Sequence, residues 1–61
     1  MLLKFNPNNA DILNNIANIY YKQGNYKEAL NYYNKAIQIN PAHELAIRNK
    51  SVAEAKLKIE K

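Results

Sequence analysis

The sequence predicts an all-α protein built as a short stack of antiparallel helices. Three observations carry this prediction: apolar residues recur at helical spacing, the one Gly and two Pro divide the 61 residues into three such segments, and one motif returns after 34 residues. No stretch alternates apolar and polar residues as a half-buried strand would. Helices joined by turns this short pack as antiparallel neighbours.

The first predicted helix spans about residues 9–23. Asn8 or Asn9 can cap its start, because an Asn side chain accepts a hydrogen bond from a free N–H of the first turn. Gly24 can close its end, since glycine tolerates the left-handed conformation found there. The apolar stripe of this helix has spacings of three and four residues and consists of Ile12, Leu13, Ile16, Ala17 and Tyr20.

The second predicted helix spans about residues 25–39, and the third runs from about Pro41 to Lys58. Asn25 and Glu28 have the spacing of a capping box at the start of the second helix. The Asn-Pro pair at Asn40 and Pro41 ends one helix and opens the next. The stripe of the second helix includes two small residues that let another helix approach closely; it consists of Tyr26, Ala29, Leu30, Tyr33, Ala36 and Ile37.

Composition argues against catalysis and against cofactors. The chain has no Cys, and its one His cannot build a metal site with five scattered acids, so we expect neither a metal nor another cofactor. We expect His43 to be solvent-exposed in the first turn of the third helix. Ser51 lies eight residues from His43, no carboxylates are paired at helical spacing, and there is no Gly-rich loop. We therefore do not expect an enzyme.

Hydropathy and charge narrow the choice of partners. No run approaches the roughly 18 apolar residues that span a bilayer, and the first residues lack the apolar core of a signal peptide. We therefore expect no membrane partner and an intracellular, by default cytoplasmic, protein. The net charge is +4, and residues 48–61 hold five basic and two acidic side chains. Binding of single-stranded nucleic acid through this basic segment is the least favoured of the functions considered.

A sequence motif recurs at a fixed distance. Phe5-Asn6-Pro7 and Ile39-Asn40-Pro41 lie 34 residues apart. Helical units that recur at a fixed period stack into a solenoid and share a continuous core. The recurrence therefore predicts a helical unit of 34 residues that repeats along the chain.

Residues 10–43 resemble a tetratricopeptide repeat (TPR), a 34-residue unit with the pattern W-x2-L-G-x2-Y, A-x3-F and P. The resemblance implies that residues 10–43 form a complete antiparallel helix-turn-helix unit within an α-solenoid fragment. It also implies that residues 1–9 are a remnant of a preceding unit or an N-terminal extension, and that residues 44–61 are a further helix. Lys50 and Glu54 stand where the repeat has Ile16 and Tyr20, so residues 44–61 resemble a polar capping helix that ends the stack. The residues that carry the pattern are Leu13, Ile16, Ala17 and Tyr20, then Ala29 and Tyr33, then Pro41.

The resemblance also implies a function. In this family the first helices of successive repeats line a concave groove that receives an extended peptide or a partner helix, without catalysis. Asn18 and Asn49 match two positions of a clamp that holds C-terminal carboxylates of chaperones in some members, but Asn14 replaces its first Lys, and we do not predict chaperone binding. The groove positions carried over to this chain, with Asp11 on the same face, are Asn14, Asn15, Asn18, Tyr21, Leu45, Arg48, Asn49 and Val52.

A second copy of the chain is an alternative partner. Fewer than two repeats fall below the roughly three that stacking usually needs, so we expect a homo-oligomer, most simply a dimer. Helices could be exchanged between copies by opening the turn at residues 23–25. Leu45, Val52 and Ile59 recur every seven residues and could form a short coiled-coil seam.

Overall fold

A computed structural model describes residues 9–60 of the chain. It contains three helices, α1 (Ala10–Lys22), α2 (Tyr26–Ile39) and α3 (Glu44–Glu60), and no strand in that range. The predicted all-α class and the helix-turn-helix unit followed by a third helix are confirmed. The expectation for residues 1–8 lies outside the described residues. None of the helices in residues 9–60 combines the length and the apolar character needed to cross a bilayer.

Helix α1 is bounded by the residues that the sequence indicates. Of the two candidate caps, Asn9 takes the role: its Oδ1 accepts from the N–H groups of Asp11 at 2.8 Å and Ile12 at 3.3 Å. Asp11 in the first turn and Lys22 in the last both suit the helix dipole. The chain then reverses at Gly24, whose φ of +84° is a conformation that other L-residues rarely adopt.

Helices α2 and α3 are joined by a tight turn at residues 40–43. Asn25 caps α2 by accepting from the N–H of Glu28 at 3.4 Å. Asn40 is extended, as a residue before proline prefers, and its Oδ1 accepts from the N–H of Ala42 at 3.1 Å. This side-chain turn delays α3, which begins at Glu44 rather than at about Pro41.

The core consists mainly of alanines and one tyrosine. Helix α2 packs against both α1 and α3, whereas α1 and α3 touch only slightly. Alanine at these crossings lets the helices approach closely. Tyr33 is the largest fully buried side chain and packs against Ala17, Ala29 and Ala53. A second cluster consists of Ala10, Ala36 and Ala46.

Candidate functional site

A cavity of about 290 Å³ lies between α1 and α3. This volume is near the lower limit of small-molecule pockets, and it suits one side chain or one peptide unit better than a cofactor. Four of the eight predicted groove residues line it. The residues that line the cavity are Asn18, Tyr21, Lys22, Tyr33, Asn49 and Val52.

The other four predicted groove residues lie outside this cavity. Asn15, Leu45 and Arg48 are exposed on α1 and α3. Asn14 is only 5% exposed, and its side chain therefore belongs to the interior rather than to an open groove wall. Tyr33 and Lys22 are cavity residues that the sequence prediction did not include.

Three asparagines and Tyr33 form a hydrogen-bonded network that connects all three helices. The Nδ2 group of Asn49 on α3 donates to Oδ1 of Asn14 at 3.4 Å and to Oδ1 of Asn18 at 3.3 Å, both on α1. The hydroxyl of Tyr33 on α2 also donates to Oδ1 of Asn18. Among the described residues, no buried polar side-chain atom lacks a partner. We refer to Asn14, Asn18, Asn49 and Tyr33 as the amide network.

Burial keeps the Tyr33 hydroxyl protonated. It raises the pKa of the Tyr33 phenol, and the nearby phenol of Tyr21 raises it further. The hydroxyl therefore keeps its proton at neutral pH and can donate, as it does to Oδ1 of Asn18.

His43 differs from the sequence prediction, because its side chain is 9% exposed instead of open to solvent. Its Nδ1 accepts from the N–H of Ala46 at 3.2 Å and so caps α3. The ring proton therefore lies on Nε2, which donates to Oδ1 of Asp11 at 2.7 Å and ties the start of α3 to the start of α1. A signal for the cap was present in the sequence, since His43 follows the capping residue Asn9 by the 34-residue period.

Comparison with known proteins agrees with this architecture. The sequence profile of the tetratricopeptide repeat matches residues 10–43. The chain is also similar to mouse protein O-mannosyl-transferase TMTC1, with 39% identity over 56 residues that cover 84% of this chain and 6% of the mouse protein. The chain thus corresponds to a small part of that relative. No solved structure matches it.

The matched profile covers the unit that the structure shows. Residues 10–43 contain α1, the Gly24 turn, α2 and the tight turn that leads to α3. The tetratricopeptide repeat is a non-catalytic scaffold fold that generally mediates contacts between proteins. With its profile match, its alanine crossings and its glycine turn, the chain belongs to the tetratricopeptide repeat family.

Proposed function

We propose that this chain holds an extended peptide of a partner protein against the cavity between α1 and α3. The observation that carries the proposal is the mixed character of the cavity wall. Asn18 and Asn49 offer amide groups, and Tyr21 and Val52 offer apolar surface. An extended peptide needs both, because its backbone requires polar partners and its side chains need a slot.

Exposed residues around the cavity could contact a peptide longer than a single residue. Leu45 and Val52 lie on one face of α3, two turns apart, and both are exposed. Arg48 lies between them in sequence and is also exposed, so a partner carboxylate could bind its guanidinium in a bidentate manner. Asn15 extends the amide-rich surface on the α1 side.

A binding experiment on the 61-residue chain tests this proposal. We would select peptides from a random nine-residue library and map the best binder by amide chemical shifts. We expect the shifts to concentrate on α1 and α3. Val52→Glu should weaken binding about tenfold or more, because it places a charge in an apolar wall. Ala55→Glu adds the same charge at an exposed position of α3 outside the cavity and should have little effect. Equal effects of the two substitutions, or shifts confined to α2, would contradict the proposal.

Association with a second copy is a distinct candidate function. It is supported by Leu45, Val52 and Ile59, which are 56%, 43% and 82% exposed and recur every seven residues along α3. Facing seams of this kind form the contact in short coiled coils. An exchange of helices through the turn at residues 23–25 is another route to the same dimer.

Sedimentation analysis separates self-association from peptide binding. Ile59 does not line the cavity, so Ile59→Glu should weaken a seam dimer while leaving peptide affinity unchanged. A dimer that persists in this variant with normal helicity would argue for helix exchange over the seam. A chain that sediments as a monomer at the highest attainable concentration would eliminate self-association.

A further inference from the structure

Within residues 9–60, two pairs of tyrosines join α1 to α2, and one of them reaches the cavity. Tyr20 of α1 stacks on Tyr32 of α2, with ring centroids 5.5 Å apart and an angle of 13° between the ring planes. Tyr21 of α1 meets Tyr26 of α2 edge to face, with ring centroids 5.2 Å apart and an angle of 64°. Of these four side chains, only that of Tyr21 lines the cavity.

Tyr26 differs from the other members of the two pairs in what it packs against. Tyr20, Tyr21 and Tyr32 are partly buried and lie against the core cluster around Tyr33. Tyr26 is half-buried but lies against neither core cluster of the described chain, although helical spacing places it on the apolar stripe of α2. Its aromatic contact within residues 9–60 is the one with Tyr21. The ring of Tyr26 therefore acts on the fold chiefly through Tyr21.

The ring of Tyr21 needs support from outside its own helix. In the middle of a helix, side chains three and four positions later lean back over a residue. For Tyr21 these positions are Gly24 and Asn25, which lie beyond the end of α1. Tyr26 follows the same turn, and its ring contacts that of Tyr21. On the core side, the phenol of Tyr21 lies close enough to that of Tyr33 to raise the Tyr33 pKa.

The position of the Tyr21 ring decides whether the apolar wall of the cavity is complete. A tyrosine in a helix has two accessible χ1 rotamers, at about 180° and about −60°, which place the ring in different positions. In the structure the ring lies at the cavity, which Val52 of α3 also lines. In the other rotamer the ring would leave this position, and the apolar wall would consist of Val52 alone.

We infer that Tyr26 is a positioning residue for the proposed peptide groove, because its ring holds Tyr21 in the rotamer that lines the cavity. The inference rests on the proposed function, but Tyr26 does not itself line the cavity. An edge-to-face aromatic pair shifts an equilibrium between two arrangements by about two- to tenfold. Loss of the Tyr26 ring should therefore free Tyr21 while leaving the two core clusters in place.

The rotamer of Tyr21 can be measured without a ligand. Three-bond couplings from Cγ of Tyr21 to its backbone nitrogen and carbonyl carbon report χ1 in the isotope-labelled 61-residue chain. We expect the couplings of a single rotamer in the wild type and averaged couplings in Tyr26→Leu, with the second rotamer rising about two- to tenfold relative to the first. Tyr26→Phe keeps the ring and should retain the wild-type couplings. An unchanged rotamer in Tyr26→Leu would overturn the inference.

The second tyrosine pair supplies a matched control. Tyr32→Leu makes the same substitution on α2 and breaks a ring contact with α1 of similar length. It should lower stability at least as much, because Tyr32 also lies against the core cluster and its ring faces Nζ of Lys35 at 4.9 Å. The rotamer of Tyr21 should nevertheless stay unchanged. Averaged Tyr21 couplings in both variants would indicate a general loosening between α1 and α2 and would overturn the role of Tyr26.

Peptide affinity provides the functional readout. The probe is the nine-residue peptide selected against the wild-type chain, titrated at a temperature at which circular dichroism shows every variant to be folded. Only chains with Tyr21 in place present the complete wall, so Tyr26→Leu should weaken binding about two- to fivefold. Tyr26→Phe and Tyr32→Leu should bind as the wild type does. Equal affinities of the wild type and Tyr26→Leu would contradict the positioning role.

A double variant shows whether Tyr26 acts through Tyr21. Tyr21→Leu should itself weaken binding, because it removes the aromatic part of the wall. In that background, the additional change Tyr26→Leu should cause no further loss, since the ring that Tyr26 positions is already absent. A further loss as large as that in the wild-type background would mean that Tyr26 acts on the peptide independently, and the inference would fail.

The failure of this inference differs from the failure of the groove. An unchanged Tyr21 rotamer in Tyr26→Leu, in a chain whose wild type binds the peptide along α1 and α3, would overturn the role of Tyr26 and leave the groove in place. A wild-type chain that binds none of the library peptides would overturn the groove, and with it the role of Tyr26 in binding.

Discussion

Replacing His43 removes two contacts, and a choice of substitutions separates them. In the native chain Nδ1 caps α3 through the N–H of Ala46, and Nε2 donates to the carboxylate of Asp11. His43→Ala loses both contacts. His43→Asn retains a capping oxygen of the kind that Asn9 and Asn25 provide for α1 and α2. The Asn side chain is too short to keep the hydrogen bond to Asp11.

The expected magnitudes follow from the two environments. Loss of an N-terminal cap costs about 1 kcal/mol of the free energy of unfolding. The Asp11 side chain is 80% exposed, so solvent screens its contact with His43 and the contact adds little. His43→Ala should therefore lower the free energy of unfolding by about 1 kcal/mol, which corresponds to about 4–8 °C in Tm for a domain of this size. His43→Asn should stay close to the wild type.

Urea unfolding followed by circular dichroism, at one fixed pH near 8, measures these differences. The wild type, His43→Asn and His43→Ala should unfold at successively lower urea concentrations, with the larger step between the two variants. Asp11→Asn is the matched control for the link alone. A His43→Ala chain as stable as the wild type would refute the capping role. Equal losses in His43→Ala and His43→Asn would instead assign the effect to the contact with Asp11.

Three further substitutions test other parts of the structure. Folding raises the pKa of Tyr33, so the contribution of Tyr33 to stability is complete below the ordinary tyrosine pKa near 10 and is lost as the pH rises through the folded value. In urea titrations, Tyr33→Phe should therefore lose less stability than the wild type as the pH rises above about 10. Ala17→Leu should cost about 1–3 kcal/mol because Ala17 is fully buried at a helix crossing, whereas Ala55→Leu at an exposed site should change thermal unfolding little. Asn9→Ala should cost about 1 kcal/mol in the same assay through loss of the α1 cap, and an unchanged Tm would contradict that role.

The helices could be predicted because their signals are local. The predicted limits of α1 differ from the observed ones by one residue at each end, and the predicted α2 begins one residue early and ends at the observed residue. Gly24 and the Asn-Pro pair act through their own backbone preferences, which do not depend on tertiary contacts. The start of α3 was harder to predict from the sequence, because a side-chain turn at Asn40 and a cap at His43 compete with the start that Pro41 favours.

The site could be predicted only in part. The resemblance to the tetratricopeptide repeat assigns Asn18, Asn49, Tyr21 and Val52 to one groove, and all four line one cavity. The burial of Asn14 depends on how closely α1 and α3 approach each other across the alanines of α2. This distance cannot be deduced from the sequence of any single helix. The hydrogen bonds of Asn49 to Asn14 and Asn18 likewise depend on how the helices assemble.

The described hydrogen bonds explain why the cavity lies where it does. Helices α1 and α3 touch only slightly, and in residues 9–60 their side chains are joined at two levels: His43 to Asp11 at the starts of the helices, and Asn49 to α1 near the middle. Beyond Asn49, no side-chain hydrogen bond among residues 9–60 joins α3 to α1, and Tyr21 and Val52 line the cavity there. Three members of the amide network, Asn18, Asn49 and Tyr33, line the cavity. Under the proposed function, the side chains that join α1 to α3 are therefore also the ones that face the partner.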